Sequence, residues 1–153
     1  MLPDRDVRLR AATTEDARFI VEMARYACVI EDWPLPGADS EETQSLLPKS
    51  GDTVIVATAA GEAVGAAWTF SHRPALAVGL PEVTIGVVPE MRGKGVGGAL
   101  LDELIVRAAG EHEALTLNVH RRNPAARLYE RKGFRVIGQG RGDLGVAMRR
   151  DLP

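Results

Sequence analysis

The sequence has little cysteine: one residue, Cys28, in a chain of 153. A lone thiol excludes an internal disulfide and points to a reducing compartment. Cys28 lies in an apolar helical stretch, where it reads as a buried thiol and not a nucleophile. No apolar run reaches the roughly 18 residues of a membrane span, so no membrane partner is expected. The opening Met-Leu-Pro-Asp-Arg-Asp lacks a signal-peptide core, and a cytoplasmic location follows as the expectation. Net charge is −2, so no bulk basic field points to nucleic acid. There is no repeat, no linker and no low-complexity tract. What is present suits one domain over residues 1–153, with 45% hydrophobic residues, enough for a normal core.

The chain is organised around residues 82–101. Val83 to Val88 is β-branched and apolar and reads as a strand buried on both faces. Pro89 cannot donate to a ladder and should end it. After Gly98 come strong helix formers, with Leu100, Leu104 and Ala108 on one face. The glycine-rich loop between them therefore joins a buried strand to a helix N-terminus. Free N–H groups and the positive end of the helix dipole converge there, which makes an anion site. Arg92 and Lys94 add positive charge on the approach.

Which anion binds depends on the spacing. Gly93, Gly95 and Gly98 satisfy GxGxxG, but the turn is too long for a dinucleotide fold. The next strand also ends in Val119-His120-Arg121-Arg122, with no acid to hold a ribose. A P-loop fails because Gly95 follows Lys94. Arg92, Gly95 and Gly97 fit [Q/R]-x-x-G-x-[G/A], which resembles the pyrophosphate loop of the GCN5-related N-acetyltransferases, the GNAT superfamily. A second segment agrees: Asn123, Ala126, Leu128, Tyr129, Gly133 and Phe134 fall in register with a later motif of that family. The resemblance is specific over 82–134 and generic before it.

Element by element, Val7 to Ala11 alternates like a half-exposed strand. Thr13 and Asp16 resemble a capping box ahead of a helix carrying Ile20, Met23, Ala24 and Ala27, which should fade between Glu31 and Pro36. Asp39 to Leu47 reads as a short helix with Asp39 as N-cap. Thr53 to Thr58 and Ala63 to Phe70 read as a hairpin across Ala60-Gly61-Glu62. Ser71 to Pro81 reads as a loop. Leu115 to Val119 is the next strand, and Asn123 caps a helix with Pro124 first. Gly133 stops that helix, and Phe134 to Ile137 closes against Leu144 to Met148. This order, βααβββαβαββ, is the one a GNAT shows. The resemblance implies an α/β (α+β) fold: a mixed, mostly antiparallel sheet flanked by about four helices, splayed after the central strand.

The resemblance also implies roles. Acetyl-CoA would be the cosubstrate, its pyrophosphate held by the N–H groups of Gly93, Lys94, Gly95, Val96, Gly97 and Gly98. Arg92 would contribute chiefly through its backbone. Val87 would sit at a β-bulge whose freed N–H bonds the thioester carbonyl. Asn123 would touch the pantetheine arm as well as cap its helix. Tyr129 would be the general acid, protonating the departing thiolate. Glu82 would act through water as general base. It shares a face with Thr84 and Gly86, small residues that leave room for substrate. Each has a plainer counterpart: a turn, a core valine, a packed tyrosine, a solvated acid. His72 and His120 rival Glu82 by pKa, while His112 reads as a loop residue. No metal is expected.

The expected activity is transfer of an acetyl group to a primary amine of a small molecule or protein, by direct attack in a ternary complex. The alternative is a non-catalytic acyl-CoA sensor; an oxidoreductase is disfavoured by the missing ribose acid. Glu31, Asp32, Trp33, Asp39, Glu41 and Glu42 form an acidic segment that either lines the acceptor site or is a solvated face. The identity of the amine and a homodimeric state are left open.

Overall fold

The computed structural model describes residues 7–27, 35–71 and 75–153. The readings made for Cys28, Glu31, Asp32, Trp33 and His72 lie outside the described residues. Among those described, no helix is long and apolar enough to cross a membrane.

The chain runs β1 (Val7–Ala11), a 3-10 turn (Thr14–Asp16), α1 (Ala17–Ala27), α2 (Glu41–Ser45), β2 (Val54–Ala59), β3 (Glu62–Phe70), β4 (Glu82–Val87), a 3-10 turn (Pro89–Met91), α3 (Val96–Ala108), β5 (Ala114–His120), α4 (Ala125–Arg131), β6 (Arg135–Gln139) and β7 (Gly145–Asp151). The seven strands form one sheet in the order β1-β2-β3-β4-β5-β7-β6. Every neighbouring pair is antiparallel except β4 with β5.

Alternation sorts the strands' side chains onto two faces. Ile55, Ala57, Ala67 and Val83 join Leu100, Leu101, Leu104 and Ala108 of α3 in one core. Val56, Ala66, Trp68 and Phe70 join Met23 and Ala24 of α1 in the other. Trp68 is fully buried and satisfies its indole by donating to the Leu46 carbonyl at 2.7 Å.

Local signals explain most element ends. Asp16 Oδ2 accepts from the Thr13 N–H at 2.7 Å, completing the expected capping box. Arg10 grips the same carboxylate with two hydrogen bonds of 2.8 Å, tying β1 to the start of α1. The β2–β3 turn is Ala60-Gly61, both with positive φ, so Glu62 belongs to the strand. The second helix is shorter than expected and is capped by Ser40, not Asp39. Ser40 Oγ accepts from the Thr43 N–H at 3.1 Å, and Thr43 Oγ1 turns back to the Gly37 carbonyl at 2.9 Å.

The feature that shapes the site lies between β4 and β5. They share a single registered pair, Glu82 with Thr116. Thr116 fastens that end further, donating from its N–H and Oγ1 to the Pro81 carbonyl at 3.0 and 2.9 Å. From there β5 follows β7 for its whole length, Ala114 to His120, and leaves β4. The expected splay is present.

Candidate active site

The splay alone supplies a row of donors. Val88 N–H bonds the Val64 carbonyl at 2.9 Å, continuing the β3–β4 ladder. Hydrogen bonding alternates along an antiparallel strand, so beyond the rung the N–H groups of Ile85 and Val87 turn the other way, toward the departing β5. The ladder from Glu82 to Val87 carries no register shift. The bulge expected at Val87 is therefore absent. The parting of β5 leaves that N–H facing the gap without a bulge.

Above this gap the loop enters α3. Gly93 and Gly95 hold φ of +74° and +84°, the left-handed region that glycine alone occupies without strain. Gly95 is the N-cap of α3, and no side chain caps that first turn. Its N–H groups are thus presented to an anion by a helix of 13 residues. Helix α3 begins at Val96, so Gly97 and Gly98 are already helical. A Cβ at either would meet only ordinary contacts, Leu128 of α4 at 3.8 and 3.6 Å. Their own surroundings do not demand glycine.

Arg92 does more with its side chain than the family resemblance implies. Nε donates to the Val87 carbonyl at 3.2 Å, and the guanidinium lies 5.4 Å from the ring centroid of Tyr26. It pins the end of β4 to α1. Lys94 is exposed beside it.

Helix α4 closes the other side. The helix begins at Ala125 with Pro124 as its N-cap, one residue later than expected, and Asn123 Oδ1 accepts from the Ala125 N–H at 2.9 Å from just outside it. Gly133, with φ of +91°, ends the helix, and Phe134 turns back under it. Tyr129 packs edge-on to Phe134 at 6.1 Å and against the α3-side core. Burial pushes its phenol up to about 12. It therefore carries its proton across the physiological range.

Glu82 departs furthest from expectation. It is neither solvated nor open: its exposure is 2%. Arg141, from the β6–β7 loop, donates to Oε1 through Nη1 at 2.7 Å and to Oε2 through Nη2. The backbone of Arg141 is itself held, its N–H donating to Asn118 Oδ1 at 2.8 Å. Gly140 makes that approach feasible, because a Cβ there would collide with Asn118 Oδ1. The room expected beside Glu82 at Gly86 is also taken. A Cβ on Gly86 would stand 2.5 Å from the Met23 carbonyl oxygen, so its smallness serves the packing of α1.

His120 ends β5, where its Nδ1 accepts from the Arg122 N–H at 3.1 Å. It shares with Arg141, Asp143 and Leu144 a cleft of about 310 Å³. A larger hollow of about 570 Å³ runs along Asp102, Val106, Arg131, Lys132 and Arg150 and holds none of the candidate residues. Asp39, Glu41 and Glu42 are exposed at the start of α2, as a solvated face would be. His112 lies in the loop between α3 and β5, as expected.

The structure thus brings Val87, Arg92 and the 93–98 loop to one mouth, with α4 packed beside it. Sequence reasoning missed Arg141, Asn118 and Tyr26. A signal existed for the first: a buried acid at the head of a strand needs a cation, and Arg141 lies between two glycines.

Comparison with known proteins agrees with this geometry. The model of the acetyltransferase (GNAT) domain matches residues 50–136. A 5-NmdU N-acetyltransferase from Pseudomonas phage PaMx11 is 42% identical over 65 residues, which span 42% of this chain and 45% of that relative. A GCN5-related N-acetyltransferase from Kribbella flavida superposes with a TM-score of 0.72 at 26% identity, covering 96% of this chain and 98% of that one. A GNAT phosphinothricin acetyltransferase from Sinorhizobium meliloti, solved with AcCoA, gives 0.70 at 25% identity, covering 96% and 89%. A family model spanning more than half of the sequence means that this chain belongs to the GNAT acetyltransferases.

Proposed function

We propose that this chain is an acetyl-CoA-dependent N-acetyltransferase, one domain over residues 1–153 that acetylates a primary amine by direct attack in a ternary complex. The observation that carries this reading is the uncapped N-terminus of α3, reached through left-handed Gly93 and Gly95, at the mouth where β4 and β5 part. Those N–H groups fit a pyrophosphate, and the AcCoA-bound neighbour has the same fold. Bound acetyl-CoA supplies a thioester already activated for acyl transfer. The Gly93–Gly98 N–H groups anchor it, Asn123 borders its arm, and the Val87 N–H bonds the carbonyl oxygen as it gains charge. Tyr129 gives its phenol proton to the leaving sulfur. Glu82 marks the end where the amine enters and takes up its proton through water, with His120 as the rival base.

The test is thermal unfolding with acetyl-CoA. At about 100 times its dissociation constant the ligand adds roughly 2.7 kcal/mol of stability. Gly95→Glu places a carboxylate at the anion site and abolishes that gain, measured against the variant's own baseline because φ of +84° already strains it. No gain in wild type at millimolar acetyl-CoA would defeat the reading. Thiol release with a panel of amines then identifies the acceptor. The panel includes 5-NmdU and phosphinothricin, after the names of the phage relative and the Sinorhizobium enzyme.

A further inference from the structure

Arg141 and Glu82 are 59 residues apart in sequence, yet one guanidinium engages both oxygens of a carboxylate that is 2% exposed. The carboxylate stands at the last shared rung of β4 and β5, where the sheet begins to open. On the reading above, this is where the amine enters. An amine acceptor arrives at neutral pH mostly as an ammonium, since an alkyl ammonium has a pKa near 10.4. The first group that a buried carboxylate offers such a cation is itself, and here it is already occupied by a cation.

The two ends of that occupant differ. Its backbone is fixed: the Arg141 N–H donates to Asn118 Oδ1 at 2.8 Å, and the Gly140 N–H donates to the Gly145 carbonyl at 2.8 Å. Its side chain is 28% exposed and borders the 310 Å³ cleft, whose wall includes the exposed carboxylate of Asp143. The cleft beside the guanidinium, with its second acid, gives the side chain a place to go when it leaves Glu82. We propose that Glu82 is a cation subsite for the acceptor, and that Arg141 fills it as an internal stand-in which the acceptor ammonium displaces. A cation seated there is held by charge and hydrogen bonds to the Glu82 oxygens that Arg141 now uses. Arg141 thereby sets a threshold: an acceptor enters only if it competes with a tethered guanidinium, and its apparent affinity is reduced by the fraction of time the pair is closed.

The experiment uses cations and not the acceptor, so it stands apart from catalysis. Thermal unfolding is followed for wild type, Arg141→Gln, Arg141→Lys and the double variant Arg141→Gln with Glu82→Gln. The probes are methylguanidinium and n-butylammonium chlorides at about 10 mM, each against sodium chloride of equal ionic strength. Arg141→Gln should gain several degrees from the organic cations beyond sodium, wild type should gain under about one degree, and the double variant should gain nothing. The apparent affinity of Arg141→Gln for either cation should exceed that of wild type on the order of tenfold. No cation-specific gain in Arg141→Gln, or equal gains in Arg141→Gln and wild type, overturns the proposal. If Arg141→Gln does not fold, Arg141→Lys decides: a gain above wild type supports the stand-in, and an equal gain refutes it. Acetyl-CoA is titrated into the same proteins. Loss of its effect in wild type defeats the acetyltransferase reading, while its retention beside a failed cation test defeats only this one.

Discussion

Tyr129 shows how far one side chain's surroundings constrain its chemistry. Its phenol is pushed up to about 12 by burial, so the neutral form persists well above pH 9. A phenol in that state is neutral at physiological pH, and the same shift makes it a weaker acid, so any proton it gives must go to a strongly basic acceptor. Tyr129→Phe keeps the edge contact with Phe134 and removes only the hydroxyl. Acetyl-CoA binding should be unchanged and single-turnover acetylation should fall by roughly 100-fold, read by rapid quench. Unchanged chemistry would leave Tyr129 a packing residue. Tyr129, Asn123 and the glycine loop were legible in the sequence because each lies in a short local pattern. The Arg141–Glu82 pair was not, because nothing local in either segment names its partner. Gly86 was misread for a related reason. A small residue leaves space, but only the folded chain shows that Met23 fills it.

At the scale of elements, periodicity and caps carried most of the reading. The doubly buried run of β4 and the helical face of α3 follow directly from their side chains. Residues 39–47 were less legible, since Asp39 and Ser40 both cap well and the choice is made by which one Thr43 reaches. The join of β1 to α1 yields a pH dependence. Hydrogen bonds from Arg10, then from the Thr13 backbone, hold the Asp16 carboxyl down to about 2. A carboxylate held below its unfolded value stabilises the fold above about pH 4, and the contribution is lost as pH falls from there toward 2. Arg10 is 43% exposed, so screening reduces the contribution to about 1 kcal/mol. Asp16→Asn should lower the urea midpoint at pH 7 and leave it nearly unchanged at pH 2. An equal drop at both pH values would assign the loss to capping geometry instead.

For the whole molecule, the sheet is continuous in order but not in bonding. Strand order could be inferred only through family resemblance, since periodicity does not say which neighbour β5 will prefer. It prefers β7, with seven registered pairs against one with β4. If acetyl-CoA fills the resulting gap, it should slow hydrogen exchange in peptides covering β4 and residues 93–98. Peptides from β1 and β2 should change little. Uniform slowing across all strands would indicate general stabilisation without occupancy of the gap.

The single rung between Glu82 and Thr116 has a mechanical consequence. Two ribbons clipped at one end form a lever. Strand β4 runs five residues beyond the clip, Val83 to Val87, or about 17 Å at roughly 3.3 Å per residue. A rotation of about 5° at the rung moves the far end by about 1.5 Å, close to the length of one carbon–carbon bond. The β3–β4 and β5–β7 ladders both run on past the clip, so each arm of the lever is stiffened along its length by its outer neighbour. An angle of that size changes the width of the gap while leaving the hydrogen bonds of either ladder in place.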